Sequence, residues 1–329
     1  MKNKNQKSNK QKTSSENAPM PKLSSNKYIR WYQLRKHKKK MQQPQTFQEK
    51  AVSFVKTVLG AFIVVMILNG LAIASFVVPT GSMEKTVMTG DFLFVNKFIY
   101  GPSTPQVIPF LDIPLPFYRF PGFKDPEKGD VIVFIYPGDR DEVEARDFQY
   151  YLKRCVAVQG DTLQIIDKRL FINGKEIPMT EYAQYDYSVP SSPYDQWQTF
   201  PAGRGYTRDN YGPIRIPKEG DTLYLNKDNW REWEFFIKRE KHTIGFDGIN
   251  VLIDGKSQNY YIVERNYCFG LGDNRDHSLD SRYWGFIPVE NVVGTPIIVY
   301  WSWDTNAPLV NIVDKISSIR LSRVGKIIR

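Results

Sequence analysis

Residues 129–137 read GDVIVFIYP, six branched or aromatic side chains closed by Gly-Asp at one end and by Pro at the other. A short run of Val, Ile and Phe bounded in this way reads as a strand. DFLFVNKFIY at 91–100 is a second such run. Further out, LFINGKEI (170–177) sets Asn173-Gly174 between apolar runs, a strong two-residue hairpin signal, and VLIDGKSQNYYIV (251–263) repeats the device with Asp254-Gly255. The pattern predicts a mostly β protein of antiparallel sheet. GDTL occurs at 160–163 before INGK and at 220–223 before IDGK, but at unequal spacing, so it reads as recurring hairpin chemistry and not as a solenoid. Thr180 to about Glu240, rich in Tyr, Pro, Asp and Trp, reads as a peripheral insertion.

The chain has 329 residues and a net charge of +10, very unevenly placed. Residues 1–50 hold 14 Lys and Arg against 2 Glu, a net of +12, which leaves 31 basic and 33 acidic groups, a net of −2, for the remainder. A nearly neutral folded part argues against a nucleic-acid-binding domain, which needs basic groups arrayed along phosphates. The polar, Lys- and Asn-rich start is expected to be disordered. From Thr57 to Val78 the chain carries 22 residues without a charge, enough for a helix to cross about 30 Å of hydrocarbon. Lys50, Lys56 and the KHKKK cluster at 36–40 precede it, which orients the tail to the cytoplasm and residues 79–329 outside. Ala72-Ile73-Ala74 has the spacing of a cleaved leader, but the 50-residue tail is too long for one and the apolar run continues beyond it.

VIPFLDIPLPFYRFPGF (107–123) has four prolines and needs to bury its phenylalanines, against the domain or at the bilayer interface. VDKISSIRLSRVGKIIR (313–329) mixes apolar side chains with five basic residues and one Asp, suiting either an amphipathic helix on anionic lipid or a solvated terminal helix.

Directly after the apolar run stands PTGSMEK (79–85). A serine is a poor nucleophile unless something takes its proton. Ser82-x-x-Lys85 matches the pair of penicillin-binding enzymes, with Ser257-Gln258-Asn259 as a second element, but no KTG-like third element exists. A histidine triad has three candidates, His37, His242 and His277, and nothing selects among them. YLKRCVAVQGD (151–161) offers another base: in a strand Lys153 and Arg154 face opposite sides, so one charge points inward. A buried lysine can lose several units of pKa and so become a base near neutrality. GDNRDHSLDSRYWGFIP (272–288) is a turn-rich loop whose Asp and Arg side chains can pair to fix backbone shape; its GLG start at 270–272 lacks the third glycine of a nucleotide loop.

PTGSM, KGDVIVF (128–134), YLKR (151–154), the 272–288 loop and WSWD (301–304), in this order after one apolar span, resemble the bacterial type I signal peptidases, membrane-anchored Ser-Lys proteases. The resemblance implies Ser82 as nucleophile and Lys153 as general base. It implies Thr80 in the oxyanion hole, Ser278 orienting the amine, and Asp273, Asp280, Arg282 and Arg154 as structural support. It further implies acyl-enzyme cleavage of exported preproteins after Ala-x-Ala, on the extracytoplasmic side of the inner membrane, by a monomer on membrane lipid without nucleic acid, metal or cofactor. Lys85, His277 and the long tail depart from the family's usual pattern. The rivals are a penicillin-binding transpeptidase and an inactive anchored homologue. The expected layout is a disordered basic cytoplasmic tail (1–50), a transmembrane helix (51–78) and a catalytic core (79–166 and 262–305). A β-rich subdomain (167–261) is inserted and a basic segment (306–329) closes the chain. Cys155 and Cys268 are expected as free thiols.

Overall fold

A computed structural model describes residues 23–41, 46–104, 107–108, 113–114, 116, 118–188, 192, 198–305, 307 and 312–329. The chain divides into two units, Met1–Val65 and Met66–Arg329. The first holds helix α1 (Lys27–Met41) and the start of α2 (Phe47–Leu71). Helix α1 corrects the expectation of disorder throughout 1–50. KYIRWYQLRKHKKKM contains no Gly or Pro, Asn26 accepts from the Tyr28 N–H at 3.0 Å, and the Arg35 guanidinium lies 5.0 Å from the Trp31 ring, one turn back. The expected disorder of 1–22 concerns residues outside those described.

Helix α2 is 25 residues long, about 37 Å at ~1.5 Å per residue, and is apolar enough to cross a membrane. It ends at Leu71, and so corrects the 51–78 boundary. Ile73–Val77 is not helix but strand β1. Ala74 and Phe76 share the inward face there, Ala74 buried and Phe76 half-buried, while Ile73, Ser75 and Val77 share the exposed one. A strand takes that period-2 pattern when a neighbour is available, and β2 (Asp91–Asn96) pairs with it from Ile73↔Asn96 to Val77↔Phe92.

Next come the two-residue β3 (Val107–Ile108) and β4 (Ile113–Pro114), which pair with each other. Residues 109–112, 115 and 117 of the proline-rich stretch lie outside the described residues, and Phe120 and Phe123 within it are exposed. Then follow β5 (Val131–Ile135) and β6 (Tyr150–Val158). The insertion supplies β7 (Thr162–Ile166), β8 (Arg169–Ile172), β9 (Lys175–Ile177), β10 (Tyr211–Arg215) and β11 (Thr222–Tyr224). After helix α3 (Trp230–Arg239) come β12 (Ile244–Phe246), β13 (Val251–Ile253), β14 (Lys256–Ser257) and β15 (Tyr260–Ile262). The chain returns with β16 (Tyr267–Leu271), helix α4 (Ser281–Trp284), β17 (Ile287–Pro288) and β18 (Val292–Ser302).

Seven strands form the main sheet in the order β1-β2-β18-β5-β6-β16-β17, with every neighbouring pair antiparallel. Both predicted hairpin turns form: Asn173 and Gly174 have φ of 53° and 76°, Asp254 and Gly255 of 48° and 74°, the left-handed pair that a two-residue turn requires. The insertion starts earlier than expected, because β7 pairs with β8 and β10 in a second sheet instead of joining the main one. The insertion is also not wholly β, since α3 packs Phe236 and Ile237 into its core.

The end of the chain departs from both expectations. Its only helix among the described residues of 306–329, beyond a short 3₁₀ turn, is the six-residue α5 (Ile312–Ser317). Beyond it Val299 N–H donates to Lys326 O and Ile328 N–H to Ile297 O, so the last residues run beside β18 and bury Ile328. Arg323 fixes this docking by donating to the buried Asp91 carboxylate at 2.8 and 3.0 Å.

Candidate active site

Two core clusters set the positions of the side chains that matter. Val78, Met83, Val87, Leu93, Val131 and Val133 pack together on one side of the sheet. Met83, almost wholly buried, therefore pins the short 3₁₀ turn Gly81–Met83 and leaves Ser82 half-buried at its rim. The turn is tied from behind as well, because Asn274 N–H donates to Ser82 O at 3.0 Å and Asn274 Nδ2 to Gly81 O at 3.2 Å.

Lys153 sits in β6 opposite Ile132 of β5 and is only 3% exposed. Gly270 on the other neighbour, β16, makes room for it: a Cβ there would stand 3.0 Å from Lys153 Cβ. Trp284, Phe134 and Ile132 belong to the second cluster, and the Trp284 and Tyr151 rings lie 5.9 and 5.5 Å from Lys153 Nζ. Nζ donates to Ser82 Oγ at 2.9 Å and to Leu152 O at 3.1 Å. Loss of water is the largest influence on this amine and pushes its pKa down to about 8 from 10.5; Asp280 raises it, Arg282 lowers it and Asp273 raises it, in decreasing order. In its neutral form the amine reverses the 2.9 Å bond and accepts the serine proton. A hydroxyl beside such an amine can act as a nucleophile.

Thr80 is exposed, and its hydroxyl donates to Ser82 Oγ at 3.5 Å. The 272–282 loop stands behind the pair. Arg282 and Asp280 form a fully buried two-pronged pair at 2.8 Å, and Asp280 also accepts the Gly272 N–H at 3.0 Å. Burial alone would raise the Asp280 pKa, but Arg282 and the backbone donors outweigh it and hold the carboxyl below its ordinary value. Arg154 pairs with Asp273 in the same way, through Nε and Nη2 at 2.8 Å each. The expectation that only one of Lys153 and Arg154 points inward is thus corrected. Both are buried on opposite faces of β6, because the 272–276 loop covers the second face and supplies Asp273 as counter-charge.

Ser278 departs from its expected place. Its Oγ is buried without a hydrogen-bond partner among the described residues, while the amine is engaged by Ser82 and Leu152. It lies against Gly272, where a Cβ would stand 2.1 Å from Ser278 Oγ and 2.6 Å from Ser82 O. Gly272, Gly270 and Asn274 are the positions to which sequence reasoning gave no role; the last two fill places only a neighbouring strand or turn defines. Thr86 belongs with them, its hydroxyl donating to Asp273.

Lys85 does not approach the serine as one turn of an α-helix would bring it. It is exposed with φ of 75°, in a segment held by Lys326 Nζ, which donates to Lys85 O at 2.7 Å. Ser257 and Asn259 belong to the hairpin region of the insertion. His242 is bracketed by Asp254 and Glu264 at 2.6 and 2.8 Å, and the exposed His277 makes no hydrogen bond to Ser82 among the described residues. Cys155 and Cys268 are free and buried.

The dyad opens into a groove of about 510 Å³ between Phe76–Thr80 on one side and Gln149–Leu152 on the other, with His277 and Leu279 at its rim. Strand β16 pairs with β6 only from Arg154 to Val158, so on the side away from β5 Tyr150–Lys153 have no strand paired beside them among the described residues. β1 is likewise an edge strand. The slot is shaped for an extended chain.

The family model described as "Signal peptidase, peptidase S26" matches residues 51–301. Signal peptidase I of Rickettsia typhi is 31% identical over 274 residues, covering 80% of this chain and 88% of the relative. That of Rickettsia canadensis is 32% identical over 278 residues, 80% and 89% respectively. A solved signal peptidase I from Enterococcus faecalis covers 52% of this chain and 97% of its own at 20% identity, with a TM-score of 0.23, too low to add weight.

Proposed function

The chain belongs to the signal peptidase family, peptidase S26, and acts on the signal peptides of preproteins; on that premise we propose that Ser82 and Lys153 perform the cleavage as a dyad at the outer face of a membrane anchored by α2. One observation carries the reading: a lysine amine 2.9 Å from a serine hydroxyl, almost wholly out of water and with its pKa near 8.

The precursor lies extended along the Tyr150–Lys153 edge, bonded through its main chain, with small residues of an Ala-x-Ala site in the shallow groove. Neutral Lys153 takes the Ser82 proton while Oγ attacks the scissile carbonyl carbon. The oxyanion is met by the Ser82 N–H and the Thr80 hydroxyl. On collapse the C–N bond breaks and the Lys153 ammonium returns its proton to the departing amine of the mature protein. Water then gives a proton to Lys153 as its oxygen attacks the Ser82 ester; the acyl C–O bond breaks, the ammonium returns the proton to Ser82 Oγ, and the signal peptide leaves as an acid that ionises to its carboxylate. Asp280–Arg282 and Arg154–Asp273 hold the loop that fixes the serine from behind, and Ser278, packed against Gly272, lies beside the nucleophile's backbone within that loop. From Leu71 to Ser82 the chain spans 11 residues, at most about 40 Å extended, which keeps the serine near the lipid surface. The catalytic unit then faces the extracytoplasmic side, as the basic residues before α2 favour.

The test is cleavage of a precursor with an Ala-x-Ala site by the full chain in detergent. Ser82→Ala and Lys153→Ala are expected to abolish it while Lys85→Ala leaves it intact. Full activity of Lys153→Ala together with loss in Lys85→Ala would refute the assignment of the base.

A further inference from the structure

Apart from the cleavage groove the molecule holds a cavity of about 350 Å³, reached by β6, by the β8–β9 hairpin and by the segments around 178–187 and Arg275. Its lining carries five cationic side chains, Lys128, Arg154, Lys168, Arg169 and Arg275, and one acidic one, Glu176. Four of the five are matched: Lys128 to Asp161, Arg154 to Asp273, Lys168 to Asp276, and Arg169 to Glu176. Arg275 is different. It is 6% exposed, yet its guanidinium finds only neutral acceptors, Gly272 O and Tyr185 Oη, both at 3.1 Å, and no carboxylate among the described residues. A buried guanidinium without an opposite charge is costly to maintain, and a cavity beside it is where the missing charge can enter.

The rest of the lining states what kind of anion fits. The Tyr185 ring lies 5.6 Å from the Arg275 guanidinium carbon, and Lys168 Nζ stands 5.6 and 5.3 Å from the Tyr185 and Tyr187 rings, so cations and aromatic faces are interleaved at one end. Leu170, Ile177 and Met179 line the cavity as well. An inorganic ion would leave these unused.

We propose that this cavity is a binding site for a small organic oxyanion, a phosphate monoester or carboxylate attached to an apolar or aromatic body, with Arg275 taking the charged head and Tyr185, Tyr187 and Met179 the body. The site is independent of the cleavage reading, but it shares a loop with it. Arg275 follows Asn274, whose N–H holds Ser82 O, so an occupant sits next to the support of the nucleophile.

The probes are phenyl phosphate, benzoate and inorganic phosphate, titrated calorimetrically into the full chain in detergent, with the thermal midpoint followed in parallel because a ligand of the native state raises it. Phenyl phosphate or benzoate is expected to bind at least tenfold more tightly than inorganic phosphate and to raise the midpoint. Arg275→Gln should remove the effect. Since that variant can fail to fold, Met179→Asp, at an exposed position of the lining, is the second: it should weaken phenyl phosphate at least tenfold while precursor cleavage without ligand is unchanged. Equal binding of all three probes, no binding of either organic anion, or full affinity in Met179→Asp would overturn the proposal.

Discussion

Shifting pH across the range in which Lys153 changes charge is the sharpest test of the site, because burial of the amine implies a lowered midpoint and a plateau above it. With the amine at about 8, roughly one molecule in eleven carries it neutral at pH 7 and about ten in eleven at pH 9. An ordinary lysine at 10.5 would be neutral in only about one in three thousand at pH 7, so burial raises the competent fraction by roughly 300-fold. If the neutral amine is the base, kcat/KM, which reports the free enzyme, should rise about tenfold between pH 7 and 9 and then level off. An unshifted lysine would give about a hundredfold rise with no plateau in that range. The assay uses a blocked peptide bearing an Ala-x-Ala site and no group that titrates between pH 7 and 10, cleaved by the full chain in detergent at constant ionic strength. A rise that continues without levelling through pH 10, or a Lys153→Ala variant that keeps the wild-type profile, would refute the reasoning.

The same shift has a consequence for stability. The unfolded chain binds a proton at Lys153 between about pH 8 and 10.5 that the folded chain does not, so burial costs about 3 kcal/mol below pH 8, fading to nothing as pH rises through 10.5. Lys153→Met, inactive, should therefore be more stable than the parent by about 1 kcal/mol at pH 7, after loss of the bonds to Ser82 and Leu152, with the gain shrinking toward pH 10.5 in denaturation curves. Thr80→Val should lower kcat by roughly 100-fold with little change in KM, and Thr80→Ser should restore it, if its hydroxyl meets the oxyanion. Gly272→Ala must displace either Ser278 or the Ser82 carbonyl, so cleavage should fall by at least tenfold; an active Gly272→Ala enzyme would mean that the loop does not position the serine.

Much of this protein was legible because its signals are local. Strand composition in GDVIVFIYP, the Asn-Gly and Asp-Gly turns and the charge-free run as far as Leu71 each depend on residues adjacent in the chain, and each has its counterpart in the structure. Residues 73–77 mark the limit. IASFV is apolar enough to prolong a membrane helix, and only the presence of β2 as a pairing partner makes it a strand. The terminal segment is similar: its basic and apolar residues suit an amphipathic helix, but Asp91 and the edge of β18 draw it into extended contact with the core.

The dyad lies across the same divide. The sequence alone supplied a serine just beyond an apolar span and a lysine inside a strand pattern, since both follow from the identity and order of neighbouring residues. Tertiary structure decided the 2.9 Å between them, 71 positions apart, and the loss of water that lowers the amine's pKa. It also decided that Arg154, next to Lys153, would be buried too, and that Arg275 would be buried without a counter-charge. Desolvation and pairing depend on which distant segments close over a side chain, and one-dimensional order carries no record of that closure.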